Sequence, residues 1–217
     1  MLFLGIDLGT GGIRSVIVDG DGKVCSENQI AFKQVNLSNK DGESEQNPRE
    51  WIRTFEKLLE AIFSESSNRE IRAIAIDGTS GTVLPVAPKG DAHGNALMHN
   101  DMRAVKEAER CTAVFNGSCS PTFALPKILW MQENWQLPEN TYFFHSSDFL
   151  YSWLSGTTKI PTDFTNAMKT GVDLNREDWS EHEILGALNL PPIIRPGKSF
   201  ETVSDRLRKR WSLKNEV

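Results

Sequence analysis

Twice along this chain an apolar run of strand length ends on a single aspartate and gives way to glycine and hydroxyl residues. The first is Leu2 to Ile6, then Asp7, then Gly9-Thr10-Gly11-Gly12. The second is Ile71 to Ile76, then Asp77, then Gly78-Thr79-Ser80-Gly81. In both places an apolar pattern resumes at once, over Ile13 to Val18 and over Thr82 to Ala87. A plain hairpin needs neither a carboxylate at a buried strand end nor so much backbone bared by glycine. The duplicated arrangement therefore calls for a sheet whose strand ends carry polar work.

Lys23 to Ile30 supplies a third strand after the Asp19-Gly20-Asp21-Gly22 turn, which makes the first segment a meander. Asn36 to Glu45 is polar and reads as a surface loop. Asn47 then caps a helix with Pro48 in its first turn and Glu50 in the capping-box position. Trp51, Phe55, Leu58, Leu59 and Ile62 fall on one helical face, which packs most economically on the sheet. Further on, helices are predicted over 102–115 with Asn100 or Asp101 as cap, 126–135, 147–154 with Ser147 as cap and Gly156 as stop, and 181–188. Thr141 to Phe144 is a short strand and Pro191 to Gly197 an irregular crossing. The βββαββ order of the first half suits a mixed sheet with helices packed on it, in one domain.

Composition narrows the function. The net charge is −5, which argues against general nucleic-acid or anionic-membrane binding. No apolar run approaches the roughly 20 residues of a membrane span, and no basic segment precedes the first apolar run as in a secretory signal. Cys25, Cys111 and Cys119 form neither a zinc pattern nor a disulfide framework, so a reducing cytoplasm is the expected home. The four histidines show no metal-ligand spacing.

The first turn offers backbone N–H groups that can converge on an anion, with the Thr10 hydroxyl and the Arg14 guanidinium beside them. Asp7 repels phosphate but can hold Mg²⁺ or its waters. Together these suit a nucleotide polyphosphate with magnesium, although a hairpin with an aspartate at its mouth accounts for the same letters. Asp77, Thr79 and Ser80, on a backbone loosened by Gly78, can line a pocket for a polyhydroxylated ligand. They can equally form a turn that satisfies only its own backbone.

The islands G-I-D-L-G-T-G-G-I-R, E-Q-N-P with Trp51, I-A-I-D-G-T-S-G-T, N-D-M-R-A, P-K-I-L-W, D-F-L with L-S-G, T-D-F-T-N-A and D-W-S occur in this order. The series resembles the N-terminal domain of the FGGY carbohydrate kinases, members of the actin-like ATPase superfamily. The resemblance implies an α/β fold of ribonuclease-H-like type, a mixed sheet with helices packed on it. It implies ATP and Mg²⁺ as cofactors: Gly9, Thr10, Gly11 and Arg14 toward the ATP phosphates and Asp7 toward the metal. It places Asp77, Gly78, Thr79 and Ser80 at the sugar, with Asn100, Asp101 and Arg103 beside them. His99 stands where the family often has tryptophan. The second turn lacks the Arg-Glu pair of glycerol kinases and the Q-M-H-G of xylulokinases. Its D-x-T-x-G-T is nearer the ribulokinase style, so the expected substrate is a pentulose, ribulose before xylulose. The family's catalytic aspartate belongs to a second, nucleotide-binding domain that residues 1–217 do not contain, so no catalytic residue is expected here and little activity alone. A subunit of a split kinase, a non-catalytic sugar-binding or regulatory module, and self-association as a homodimer are the other readings.

Overall fold

The computed structural model describes residues 1–214, 216 and 217, with only the backbone of Ser66 and Arg69. Strands β1 (Leu2–Gly9), β2 (Gly12–Asp19) and β3 (Val24–Ala31) form the expected meander, followed by β4 (Glu45–Gln46) and α1 (Pro48–Ser64). Next come β5 (Ile71–Gly78), β6 (Val83–Val86), β7 (Ala96–Leu97), α2 (Val105–Arg110), α3 (Ala124–Asn134), β8 (Tyr142–His145) and α4 (Ser146–Ser155). The remainder is β9 (Thr162–Asp163), α5 (Phe164–Ala167), β10 (Val172–Asp173), β11 (Asp178–Trp179), α6 (Glu183–Gly186), β12 (Ile193–Ile194) and α7 (Asp205–Trp211).

Two four-stranded sheets organise the molecule, in the orders β3-β2-β1-β5 and β4-β7-β6-β8. In the first, β5 joins β1 in parallel while β2 runs antiparallel to both β1 and β3. Leu4, Ile6 and Leu8 of β1, Ile13 and Ile17 of β2 and Ile76 of β5 are buried on one face. Trp51, Phe55, Leu58, Leu59 and Ile62 of α1 join them in the same core cluster. Burying each such side chain is worth about 1.5–3 kcal/mol, which anchors α1 where its intrinsic propensity would not. Asn47 Oδ1 accepts the Arg49 amide at 3.0 Å, as a cap should. At the free edge of β5 the Ile76 amide donates to the Tyr151 hydroxyl of α4 at 2.7 Å.

Several helices differ from the sequence reading. α2 spans Val105–Arg110 instead of 102–115, and its N-cap is Ala104. Asp101 cannot cap it, because its carboxylate is taken by Arg103 and by the Ser44 amide. α6 shrinks to one turn, in which Leu185 alone is buried and Gly186 weakens the helix. α4 begins one residue early with His145 as N-cap, while Gly156 ends it in the left-handed region as expected. α7 has no counterpart in the sequence reading. Its Leu207 and Trp211 reach the main core, and Trp211 stacks on Phe63 with ring centroids 5.2 Å apart.

Candidate functional site

Asp7 and Asp77 are register partners on adjacent parallel strands, and Arg14 stands opposite Asp7 on β2. Side chains in register on a pleated sheet share a face. Here that face is opposite the α1 core, and along it run Phe3 beside Ala73 and Gly5 beside Ala75. Both aspartates therefore stand at the carboxyl ends of parallel strands, where open α/β sheets receive ligands. The two glycine loops leave from the same edge.

The first loop is a two-residue turn, Thr10-Gly11, between paired Gly9 and Gly12. The carbonyl groups of this turn are tied down: Gly11 O accepts the Phe32 amide at 2.9 Å and Thr10 O accepts Gln46 Nε2 at 2.7 Å. Gln46 is buried, donates also to Val35 O, and accepts the indole N–H of the core residue Trp51 at 2.7 Å. The turn amides of Thr10 and Gly11, by contrast, have no acceptor among the described residues. A turn with held carbonyls and free N–H groups presents positive dipoles outward. Arg14 Nε and Nη2 both donate to Asp7 Oδ2, at 3.1 and 2.6 Å, which leaves Oδ1 of Asp7 open.

Magnesium fits this donor set. Asp77 gives Oδ1 to the Gly78 amide and keeps Oδ2 open. Two open carboxylate oxygens on neighbouring strands are hard ligands of the kind Mg²⁺ takes, and the ion completes its shell with water and phosphate oxygen. Among the described residues there is no cluster of three or more protein ligands that would form a closed metal cage.

The second loop is held from below. A side chain at Gly78 would put its Cβ 2.6 Å from Ser146 Oγ, so any other residue there forces the Ser146 hydroxyl to move. Lys127 is fully buried and donates to Gly81 O and, at 2.7 Å, to Met98 O. Lys169 donates to Ser80 O at 3.2 Å, and Ser80 Oγ reaches Thr165 O at 3.4 Å. Burial pushes Lys127 down to about 7, against the pull of Asp101. Burial also lowers His99, helped by Lys127 and Lys169, so its ring stays neutral. Its Nδ1 is enclosed with no partner among the described residues.

Asn100 lies in an exposed turn next to His99, joined to the second loop through Lys127 and Met98. Asp101 and Arg103, expected beside the sugar, are held by protein groups. Asp101 is 0% exposed, and its two oxygens accept the Ser44 amide at 2.7 Å, the Arg103 amide at 3.1 Å and the Arg103 guanidinium. Arg103 also pairs with Glu45 at 2.7 Å and lies over Trp130, 4.9 Å from the ring centroid. Every strong donor and acceptor of this pair faces protein, so it braces the wall from behind. Asp163 caps α5 through the Asn166 amide, and Asn166 donates to Ser147 Oγ at 2.9 Å. Sequence reasoning passed over Gln46, Lys127 and Lys169 as site residues. The first two sit inside quoted islands, and Lys169 follows a third, but only the tertiary contacts give them a role.

The fold and sequence both have relatives. A xylulose kinase of Lactococcus lactis is 29% identical over 234 residues, which cover 99% of this chain and 45% of the relative. The structure of a "xyloylose kinase" from Brucella ovis superposes with a TM-score of 0.86 at 21% identity, over 99% of this chain and 46% of that one. A gluconate kinase from Lactobacillus acidophilus follows at 0.85 and 17% identity, over 100% and 46%. The chain thus spans less than half the length of these relatives, and the fold is the ribonuclease-H-like one of the actin-like ATPases. The model of the FGGY family of carbohydrate kinases, N-terminal domain, matches residues 2–217, and the chain belongs to that family.

Proposed function

We propose that this domain forms one wall of a site where the γ-phosphoryl of ATP passes to a hydroxyl of a pentulose. The observation that carries the reading is the register of Asp7 with Asp77, which brings both loops to one edge of one sheet. The Thr10 and Gly11 amides, with Arg14, receive phosphate oxygens, and Gly9 lines their approach. Asp7 holds Mg²⁺, which when bound offsets the charge of the polyphosphate. Arg14 holds Asp7 through Nε and Nη2, which leaves Nη1 to meet phosphate, and Mg²⁺ at Asp7 would give that carboxylate a second counter-charge. Asp77, Thr79 and Ser80 bond sugar hydroxyls, Gly78 seats their loop on α4, and Asn100 lies at the rim. Asp101 and Arg103 act at one remove, by fixing the segment that carries Asn100. The base that takes the sugar's proton is none of these residues, and we assign it to the family's second domain, in the same or a separate chain.

Two features support a pentulose. The Lactococcus relative is a xylulose kinase, and the second loop is built of short hydroxyl and carboxylate groups suited to several hydroxyls at once. Its departure from the xylulokinase Q-M-H-G keeps ribulose beside xylulose as substrate. The likeness to a gluconate kinase fold sets no sugar by itself. A cytoplasmic setting agrees with three free cysteines.

The test is a thermal-shift panel of ribulose, xylulose, gluconate and glycerol on the 217-residue chain, repeated on Asp77→Asn. A pentulose that binds should raise Tm by mass action. Asp77→Asn should weaken that binding about 10-fold, the worth of one charge-assisted hydrogen bond, with the ligand-free Tm unchanged. Equal binding by the variant, or a shift with glycerol alone, would overturn the assignment.

A further inference from the structure

Three cysteines lie outside the site just described. Cys25 is exposed on β3, whereas Cys111 and Cys119 belong together. Cys111 follows the last residue of α2 and is wholly buried in a small apolar cluster with Leu125, Leu129 and Leu185. Cys119 packs against the same cluster and is partly open to solvent. The chain between them folds back through backbone bonds that include Val114 N–H to Cys111 O at 3.0 Å, Gly117 N–H to Thr112 O at 2.7 Å and Ser118 N–H to Phe115 O at 3.2 Å. Asn116 and Gly117 make the reversal in the left-handed region, at φ 53° and 91°. The two cysteines meet in the same apolar cluster across this turn. Cys111 lowers the Cys119 thiol, while Cys119 and burial push Cys111 up.

We propose that Cys111 and Cys119 are a modification site, a dithiol that closes to an intramolecular disulfide when a peroxide reaches it. The accessible partner, Cys119, reacts first: its thiolate attacks one peroxide oxygen, the O–O bond breaks, and sulfenic acid and water are formed. The Cys111 sulfur then attacks the Cys119 sulfur, its proton leaves with the sulfenic oxygen as a second water, and the S–S bond forms. Two thiols are oxidised and one hydrogen peroxide is reduced to two waters, so the step balances. Solvent reaches the pair through Cys119, and the buried Cys111 serves as the resolving thiol.

The turn is wired to the second loop. Ser120 Oγ and Thr122 Oγ1 are bonded at 2.8 Å just beyond Cys119. The Thr122 carbonyl lies against Gly81, 3.3 Å from where a Cβ would stand. The Leu125 amide donates to Lys169 O at 3.0 Å, and Lys169 in turn holds Ser80 O. A covalent clamp at one end of this short path restricts the segment that supports Ser80 and Gly81. The coupling does not depend on which sugar, if any, the loop binds.

The experiment uses the 217-residue chain, fully reduced and then exposed to hydrogen peroxide. The expected product is monomeric, lighter by two hydrogen atoms, and retains Cys25 as its one titratable thiol. Proteolysis without reductant should release a peptide pair joined through residues 111 and 119, and dithiothreitol should restore the starting mass. Cys25→Ser should behave like the parent. Cys119→Ser, a change at a partly exposed position that the fold should tolerate, should lose the two-hydrogen product. Amide exchange at residues 79–81 should slow in the oxidised form. Addition of oxygen at Cys119 with Cys111 still free, or a bridge through Cys25 between molecules, would overturn the site. A bridged product with unchanged exchange at 79–81 would overturn the coupling to the loop.

Discussion

Lys127 is an amine with no exposure, and the two carbonyls it bridges belong to different segments of the site. The sequence shows only a lysine after a proline at the start of a helix, where solvent exposure is the usual outcome. Its burial follows from the way β7, the second loop and α3 converge. The cost of that burial is visible in its proton affinity, pushed from 10.5 to about 7. Between those two values the unfolded chain holds the proton and the folded chain does not. Stability therefore rises with pH across that window, and below it the fold must carry a buried charge. Lys127→Met should remove this rise and, by leaving Gly81 O and Met98 O unpaired, destabilise the chain by about 2 kcal/mol near neutral pH. Urea midpoints at pH 7 and pH 9 for both proteins read the slope directly. If the variant keeps the parent's slope, another group is responsible.

The β1–β2 hairpin looks self-sufficient in sequence, yet the structure ties its tip to α1. Gln46 links Thr10 O to the Trp51 indole, so a core helix and a solvent-facing turn share one buried amide side chain. Replacing it by leucine keeps the bulk and strips three partners of their bonds. Gln46→Leu should cost about 3 kcal/mol and speed exchange of the Phe32 amide, which donates to Gly11 O at the tip. A stability loss with unaltered exchange would mean that the tip is held by its strands alone. Elements with long, one-sided apolar patterns were legible from the letters: β1, β2, β5 and α1 lie close to where their periodicity predicts. α2 was overextended because its cap candidate Asp101 is bound elsewhere, by Arg103 and the Ser44 amide. α7 was missed because Leu207 and Trp211 are its only buried side chains in a run of charge. Its acid partners, Glu56 and Glu60 for Arg210, stand on α1, some 150 residues away in sequence.

At the scale of the whole molecule, one face of the first sheet lies under α1 while the other carries Asp7, Asp77 and an exposed stripe. Phe3 is 37% exposed there, beside Ala73. A phosphoryl-transfer site usually closes around its substrate to exclude water, and on the function proposed above this domain supplies one side. The 217-residue chain alone should therefore show negligible ATP-dependent sugar kinase activity in a coupled assay. Turnover near about 1 s⁻¹, the low end of ordinary enzymes, would require a complete site within these residues. The sequence by itself determined the strand–aspartate–glycine units, their order and the family they belong to, because these follow from local periodicity, turn chemistry and spacing. Only the tertiary structure decided that the two aspartates stand side by side, that Asp101 and Arg103 bond to each other and to Ser44 and Glu45, and that Gln46, Lys127 and Lys169 hold the loops. Strand register and the burial of polar groups are set by partners distant in the chain, and no local pattern carries that information.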